Sequence, residues 1–225
     1  MLSAAVYPAD AAPEPDAEEQ GRLLFAAPCG FVAGATNDDA IPPDTLPEIA
    51  FVGRSNVGKS SLVNALTGQN ALARVSRTPG RTRQINFFDL GERLMLVDLP
   101  GYGYAEASKG EIKRWTGLIA RYLKGRASLR RVLLLLDGRF GIKETDKPLM
   151  KQLDEAAVSF QVVLTKCDLV KSDELHKRVA SIAQSLAKHV AAHPVIHLTS
   201  SEDGTGIAAL RASLAELAEA RRARP

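Results

Sequence analysis

The sequence has little cysteine and few aromatic residues, and it has no long apolar run. Cys29 and Cys167 are the only cysteines in 225 residues. The N-terminus shows neither the basic segment nor the apolar segment of an export signal. Two cysteines in such a chain read as free thiols in a reducing cytosol rather than as a disulfide. The longest apolar run, Val132 to Leu136, fits one buried strand and is far too short to cross a bilayer. The expectation is a cytoplasmic protein with no membrane insertion. No internal repeat and no dimerisation segment stand out, so a monomer is the default expectation. A hydrophobic content of 45% with 24% charged residues is ordinary for a globular chain of this length, so composition does not demand stapling.

Charge of one sign is also not in large excess. The net charge of +3 permits an anionic partner without requiring one. The arginines and lysines are grouped: Arg74, Arg77, Arg81 and Arg83; then Arg121, Lys124, Arg126, Arg130 and Arg131; then Arg221, Arg222 and Arg224. Such groups read equally as solvated faces and as an RNA-facing surface.

The chain is organised around Gly53, Arg54, Ser55, Asn56, Val57, Gly58, Lys59 and Ser60, which fit G-x-x-x-x-G-K-[S/T] at every fixed position. The apolar run Ile49–Val52 before it predicts a buried strand, and Ser60–Leu66 after it predicts a helix. In that context the glycines let backbone N–H groups converge on phosphate oxygens at a helix N-terminus. Lys59 would reach the β- and γ-phosphates, and the Ser60 hydroxyl would ligate Mg²⁺.

Further along, apolar strands alternate with amphipathic helices. A short edge strand is expected at Phe31–Ala35, a hairpin spans 84–98, strands cover 132–137, 160–164 and 195–198, and helices cover about 111–124, 144–157, 172–190 and 206–222. This pattern predicts a doubly wound α/β sheet with ligands at the carboxyl ends of its strands. Residues 1–25, rich in Ala, Pro, Asp and Glu, are expected to form a disordered tail, leaving a single domain over 26–222.

Three short motifs fall at strand ends. Asp98, Leu99, Pro100 and Gly101 fit D-x-x-G, in which the carboxylate holds Mg²⁺ through water and the glycine N–H meets the γ-phosphate. Thr165, Lys166, Cys167 and Asp168 fit [N/T]-K-x-D. The Asp168 carboxylate can accept from guanine N1–H and the N2 amino group, a pattern that adenine lacks, and the Lys166 stem can lie along the base. Thr199, Ser200 and Ser201 end the last strand, where backbone N–H groups can meet guanine O6. Any one of these is common by chance, but all of them in order at strand ends are not.

The runs 47–62, Thr78–Phe88 and Asp98–Ala105 resemble the bacterial EngB family (also called YihA or YsxC), one of the TrmE-Era-EngA-EngB-septin-like GTPases. The resemblance covers roughly residues 30–220. It implies a three-layer Ras-like P-loop GTPase fold on a mostly parallel six-stranded sheet. It also implies a Mg²⁺-dependent GTPase that binds GTP and GDP, acts in 50S ribosomal subunit assembly, and is needed for normal cell division and septation. Precursor rRNA and ribosomal proteins would then be its partners. Thr82 would be the switch threonine on Mg²⁺, with Gly80, Arg81, Thr82, Arg83 and Gln84 near the nucleotide, and with Lys59, Thr82 and Gly101 serving catalysis.

Ras-like enzymes place a water-orienting Gln directly after D-x-x-G, but here that residue is Tyr102, so slow intrinsic turnover is expected. Asn56 leaves two readings open: a K⁺ ligand beside the phosphates, or a cap of the loop. A P-loop kinase would need a lid and an acceptor pocket, and neither is visible in the sequence. A division-associated protein that senses GTP and scarcely hydrolyses it is the other alternative. His189, His193 and His197 are evenly spaced, but Pro194 breaks that helix, so they do not read as a metal site.

Overall fold

The structure, a computed structural model, describes residues 15–69, 72, 84–102 and 109–219. Seven strands form one sheet: β1 (Cys29–Ala35), β2 (Glu48–Gly53), β3 (Ile85–Leu90), β4 (Leu94–Asp98), β5 (Leu129–Asp137), β6 (Phe160–Thr165) and β7 (His197–Leu198). Six helices accompany them: α1 (Pro15–Phe25), α2 (Lys59–Thr67), α3 (Lys109–Gly125), α4 (Lys147–Glu155), α5 (Ser172–Leu186) and α6 (Ile207–Ala215). None of these helices is long and apolar enough to cross a membrane.

The strand order is β1-β3-β4-β2-β5-β6-β7. Pairing is antiparallel from β1 through β3 to β4 and parallel from β4 through β2, β5 and β6 to β7. The chain leaves β2 with a neighbour of later origin on either side, so a crevice opens beyond its carboxyl end, where doubly wound sheets take ligands.

Every residue of β2 and β6 is buried, as expected of parallel strands covered on both faces. The pleat divides the core. Val132, Leu134 and Leu136 of β5 pack with α3, α4 and α5 on one side. Leu133 and Leu135 pack with α1, α2 and α6 on the other. This is the expected three-layer α/β arrangement, with seven strands instead of six. The extra strand is β1, which includes the expected edge strand and shifts register after Phe31.

The expected disordered tail is overturned for residues 15–25. Pro15 opens α1, Asp16 and Glu18 lie in its first turn, and Arg22 lies in its last, all in the sense that suits the helix dipole. Leu24 and Phe25 are buried in the same cluster as Leu210 and Leu214 of α6. Gly21 allows the close approach, because a Cβ there would lie 2.6 Å from Ala212 N.

At the opposite end of β2 from the loop, Glu48 is buried and held by two neighbours. Tyr122 donates its hydroxyl at 2.8 Å and Arg126 donates Nε at 2.9 Å. Arg121 pairs with Asp38, and Arg131 donates to Gln161 at 3.0 Å. Three of the five cations in the second basic group are therefore engaged within the fold, which weakens the reading of that group as an RNA surface.

Replacing Gly21 with Ala is expected to push α1 from α6 and to destabilise the protein by about 1–3 kcal/mol. Urea denaturation measures this, and guanine-nucleotide affinity should not change.

Candidate nucleotide-binding site

The loop after β2 is shaped by backbone constraints before any ligand is considered. Gly53 lies against β5, where a Cβ would sit 2.9 Å from the Leu135 carbonyl oxygen. Asn56 has φ 63°, and Gly58, which precedes α2, has φ 104°. Asparagine tolerates the left-handed region better than most residues, so the backbone supplies a reason for Asn56 that neither sequence reading contained. Its side chain is exposed. The Val57 N–H donates to Arg54 O and the Ser55 N–H to Tyr102 O, whereas those of Asn56, Gly58, Lys59 and Ser60 meet no acceptor among the described residues. Four free N–H groups around a helix start form a concavity suited to phosphate oxygens.

Two groups at the end of β6 fix this loop from beneath. Thr165 Oγ1 donates to Val57 O at 2.6 Å, and Lys166 Nζ donates to Asn56 O at 2.6 Å. Lys166 also pairs with Asp137 at 3.0 Å, while Arg139 grips the same carboxylate. Burial works to raise the Asp137 pKa, but the hydrogen bonds from Arg139 and Lys166 outweigh it and hold the carboxyl well below the usual range. Asp137, which closes β5, thereby aligns Lys166.

Lys59, in the first turn of α2, contacts the Asp98 carboxylate at the end of β4. The G-x-x-x-x-G-K-S motif therefore meets the D-x-x-G motif at the mouth of the loop. Ser60 follows Lys59, so the oxygen donors to hand are a hydroxyl and a carboxylate, a hard set that suits Mg²⁺ when nucleotide phosphates complete its shell. Among the described residues no cluster of three or more His, Cys, Asp or Glu gathers as a metal site.

After Asp98 the chain is anchored to β2 by Leu99 N–H to Phe51 O and by Tyr102 N–H to Gly53 O. This brings Gly101 against the loop, with a Cβ position 3.4 Å from Ser55 N. Leu99 is fully buried and packs in the core. The Tyr102 hydroxyl donates to Asp146 Oδ1 at 2.8 Å, and Asp146, itself fully buried, also accepts the Lys143 N–H at 2.6 Å. Burial, then the charge of Asp146, drives the phenol pKa far above its ordinary value. The hydroxyl therefore stays protonated and is committed to Asp146. Nothing in the sequence signalled this bond, since its partners lie 44 residues apart.

At the base end, Asp168 is exposed and makes no hydrogen bond to a described residue. Cys167 is buried, and burial pushes its thiol up to about 11. The Thr199 N–H goes to Leu164 O and the Ser200 N–H to Thr205 O, so only that of Ser201 stays uncommitted within the trio. Gln84 donates to Asn86 at 2.8 Å and flanks Gly34, on the edge-strand side of the sheet. Gly80, Arg81, Thr82 and Arg83 lie outside the described residues. His189 contacts Asp154 at 2.6 Å, whereas His197 is buried in β7.

The fold and this crevice define the chain as a P-loop GTPase of the Ras-like class. Residues 48–166 match the family described as 50S ribosome-binding GTPase. The chain is 58% identical to the probable GTP-binding protein EngB of Rhodospirillum rubrum, over 89% of each chain. It is 53% identical to that of Granulibacter bethesdensis, over 94% of this chain and 95% of the relative. A crystal structure of a probable GTP-binding protein engB superposes with a TM-score of 0.60 at 25% identity, covering 76% of this chain and 97% of that one. The chain belongs to the EngB family of GTP-binding proteins.

Replacing Thr165 with Val leaves the Val57 carbonyl without its donor. The expected cost is about 1–3 kcal/mol in urea denaturation, together with weaker guanine-nucleotide binding.

Proposed function

We propose that this protein is a single-domain, cytoplasmic, monomeric switch that binds Mg²⁺ with GTP, hydrolyses GTP slowly, and times a step in 50S ribosomal subunit assembly on which normal division and septation depend. The observation that carries the reading is one crevice holding four free loop N–H groups, the Lys59–Asp98 contact and the uncommitted Asp168 carboxylate. The ribosomal part is supported by the description of the matching family as 50S ribosome-binding.

In this reading Asn56, Gly58, Lys59 and Ser60 present their N–H groups to the β-phosphate, and the Lys59 ammonium moves from Asp98 to the β- and γ-phosphates. Ser60, Asp98 through water, and Thr82 would hold Mg²⁺, which would supply neutralisation of phosphate charge. Water attacks the γ-phosphorus, the bond to the bridging β-oxygen breaks, and GDP and phosphate leave. Gly101 senses the γ-phosphate through its N–H. Asp168 selects guanine, Lys166 covers the base plane, and Ser201 N–H meets O6. Tyr102, tied to Asp146, orients no water, so turnover is slow until a partner completes the site.

Replacing Asp168 with Asn is expected to weaken GTP binding at least about a hundredfold, because two charge-assisted hydrogen bonds are lost, and to transfer preference to xanthine nucleotides. Binding titrations with labelled GTP, XTP and ATP read this directly. Wild-type affinity for ATP equal to that for GTP would reject the base assignment.

The fixed Tyr102 hydroxyl also supports a second reading, in which GTP is sensed with negligible hydrolysis. Co-sedimentation with 50S particles distinguishes the two. Association with GTP, loss with GDP and measurable turnover on the particle are expected. Association that ignores the nucleotide would sink the switch.

A further inference from the structure

A cavity of about 180 Å³ shares the phosphate loop with the nucleotide crevice, but its far wall, with Arg139, Phe140 and Lys143, has no role in the GTPase reading. Its walls are Arg54 to Val57 of the phosphate loop, the end of β5, and the turn between β5 and α4. That turn is tightly built, because Phe140 N–H and Gly141 N–H both donate to Asp137 O. It thrusts Phe140 outward, 49% exposed, although a phenylalanine in a nine-residue connection could have turned into the core.

Two cations flank the ring. Lys143 Nζ lies 3.9 Å and the Arg139 guanidinium carbon 5.1 Å from its centroid. A third cation, Arg54, enters the cavity with its Nε buried and unpaired. The acidic groups nearby are already engaged. Asp137 is gripped by Arg139 and Lys166, Asp146 is buried under Tyr102 and the Lys143 N–H, and Glu144 pairs with Lys147. The surface therefore presents an aromatic plane with excess positive charge.

We propose that this cavity and its Phe140 rim dock an unpaired nucleotide of a single-stranded RNA segment. The base stacks at Phe140 and Arg139, and the flanking phosphates pair with Lys143 and Arg54. An aromatic plane beside cations is what stacks bases regardless of their identity. The proposal rests on the reading that the protein acts on RNA-containing particles, and it assigns that contact to one surface. It also links the contact to nucleotide state. Tyr102, one residue beyond the γ-phosphate-sensing Gly101, is hydrogen-bonded to Asp146, which holds the Lys143 backbone. A shift of the D-x-x-G segment is thereby delivered to the docking surface through two hydrogen bonds.

The test uses the full chain loaded with GDP or a non-hydrolysable GTP analogue. Its probe is a fluorescein-labelled mixed-sequence RNA of about 12 nucleotides, a length within the usual single-strand site size. Phe140→Ala should weaken single-strand binding about tenfold, with Phe140→Trp restoring it and with guanine-nucleotide affinity unchanged. Lys143→Ala should lower the slope of log affinity against log salt by about 0.7, the value for one single-strand phosphate contact.

Wild-type binding of the oligonucleotide by Phe140→Ala overturns the proposal. So does loss of particle association by that variant with oligonucleotide binding intact, which would mean that the surface takes a protein. If the wild type binds no oligonucleotide yet co-sediments with 50S particles in a GTP-dependent way, this inference fails and the proposed function stands. If it does neither, both fail.

Discussion

The two hydrogen bonds from the end of β6 to the phosphate loop are the constraint on which the site depends. The Thr165 hydroxyl and the Lys166 ammonium fix the carbonyls of Val57 and Asn56; across the first peptide the Gly58 N–H is left free, and across the second the Val57 N–H is held by Arg54 O. The left-handed backbone at Asn56 and Gly58 is costly unless its surroundings determine it, and these donors, with Asp137 behind Lys166, provide that determination. The end of β6 and the loop after β2 are thus one mechanical unit.

Around this unit the protein places charge so that few groups stand idle. Lys59 and Asp98 satisfy each other across the mouth of the loop, each side chain mostly shielded from solvent. Tyr102 shows a different economy. Its backbone joins β2 and its hydroxyl joins Asp146, so the residue after D-x-x-G is a tie between the γ-phosphate segment and the turn that follows β5. A glutamine there would be free to turn toward water, whereas this phenol is not.

The nucleotide crevice was largely legible in the sequence because its chemistry is local. Four short motifs each close a strand, and the strands themselves are continuous apolar runs. Long-range features were less legible. The Tyr102–Asp146 bond, the alignment of Lys166 by Asp137 and the placement of Gln84 beside Asn86 all join residues that no local pattern connects, or that a motif alone would have sent elsewhere. Helix α1 was read as disordered because its composition is polar and its large apolar residues, Leu23, Leu24 and Phe25, come only at its end. A helix of 11 residues is marginal alone, and what stabilises it is α6, far along the chain. The second basic group stayed open between two readings for the same reason, since Arg126 and Arg131 turn to partners far along the chain, Glu48 and Gln161.

The docking of α1 on α6 also bears on how the molecule is made. Gly21 and Ala212, which meet at that contact, are about 190 residues apart in the chain. At ordinary rates of synthesis, roughly 10–40 s separate the emergence of one from that of the other. Through that interval Leu24 and Phe25 have no α6 to cover them, and the face of β2, β4 and β5 that α6 completes stays partly open. The earliest described helix therefore gains its cover only once α6 has been made.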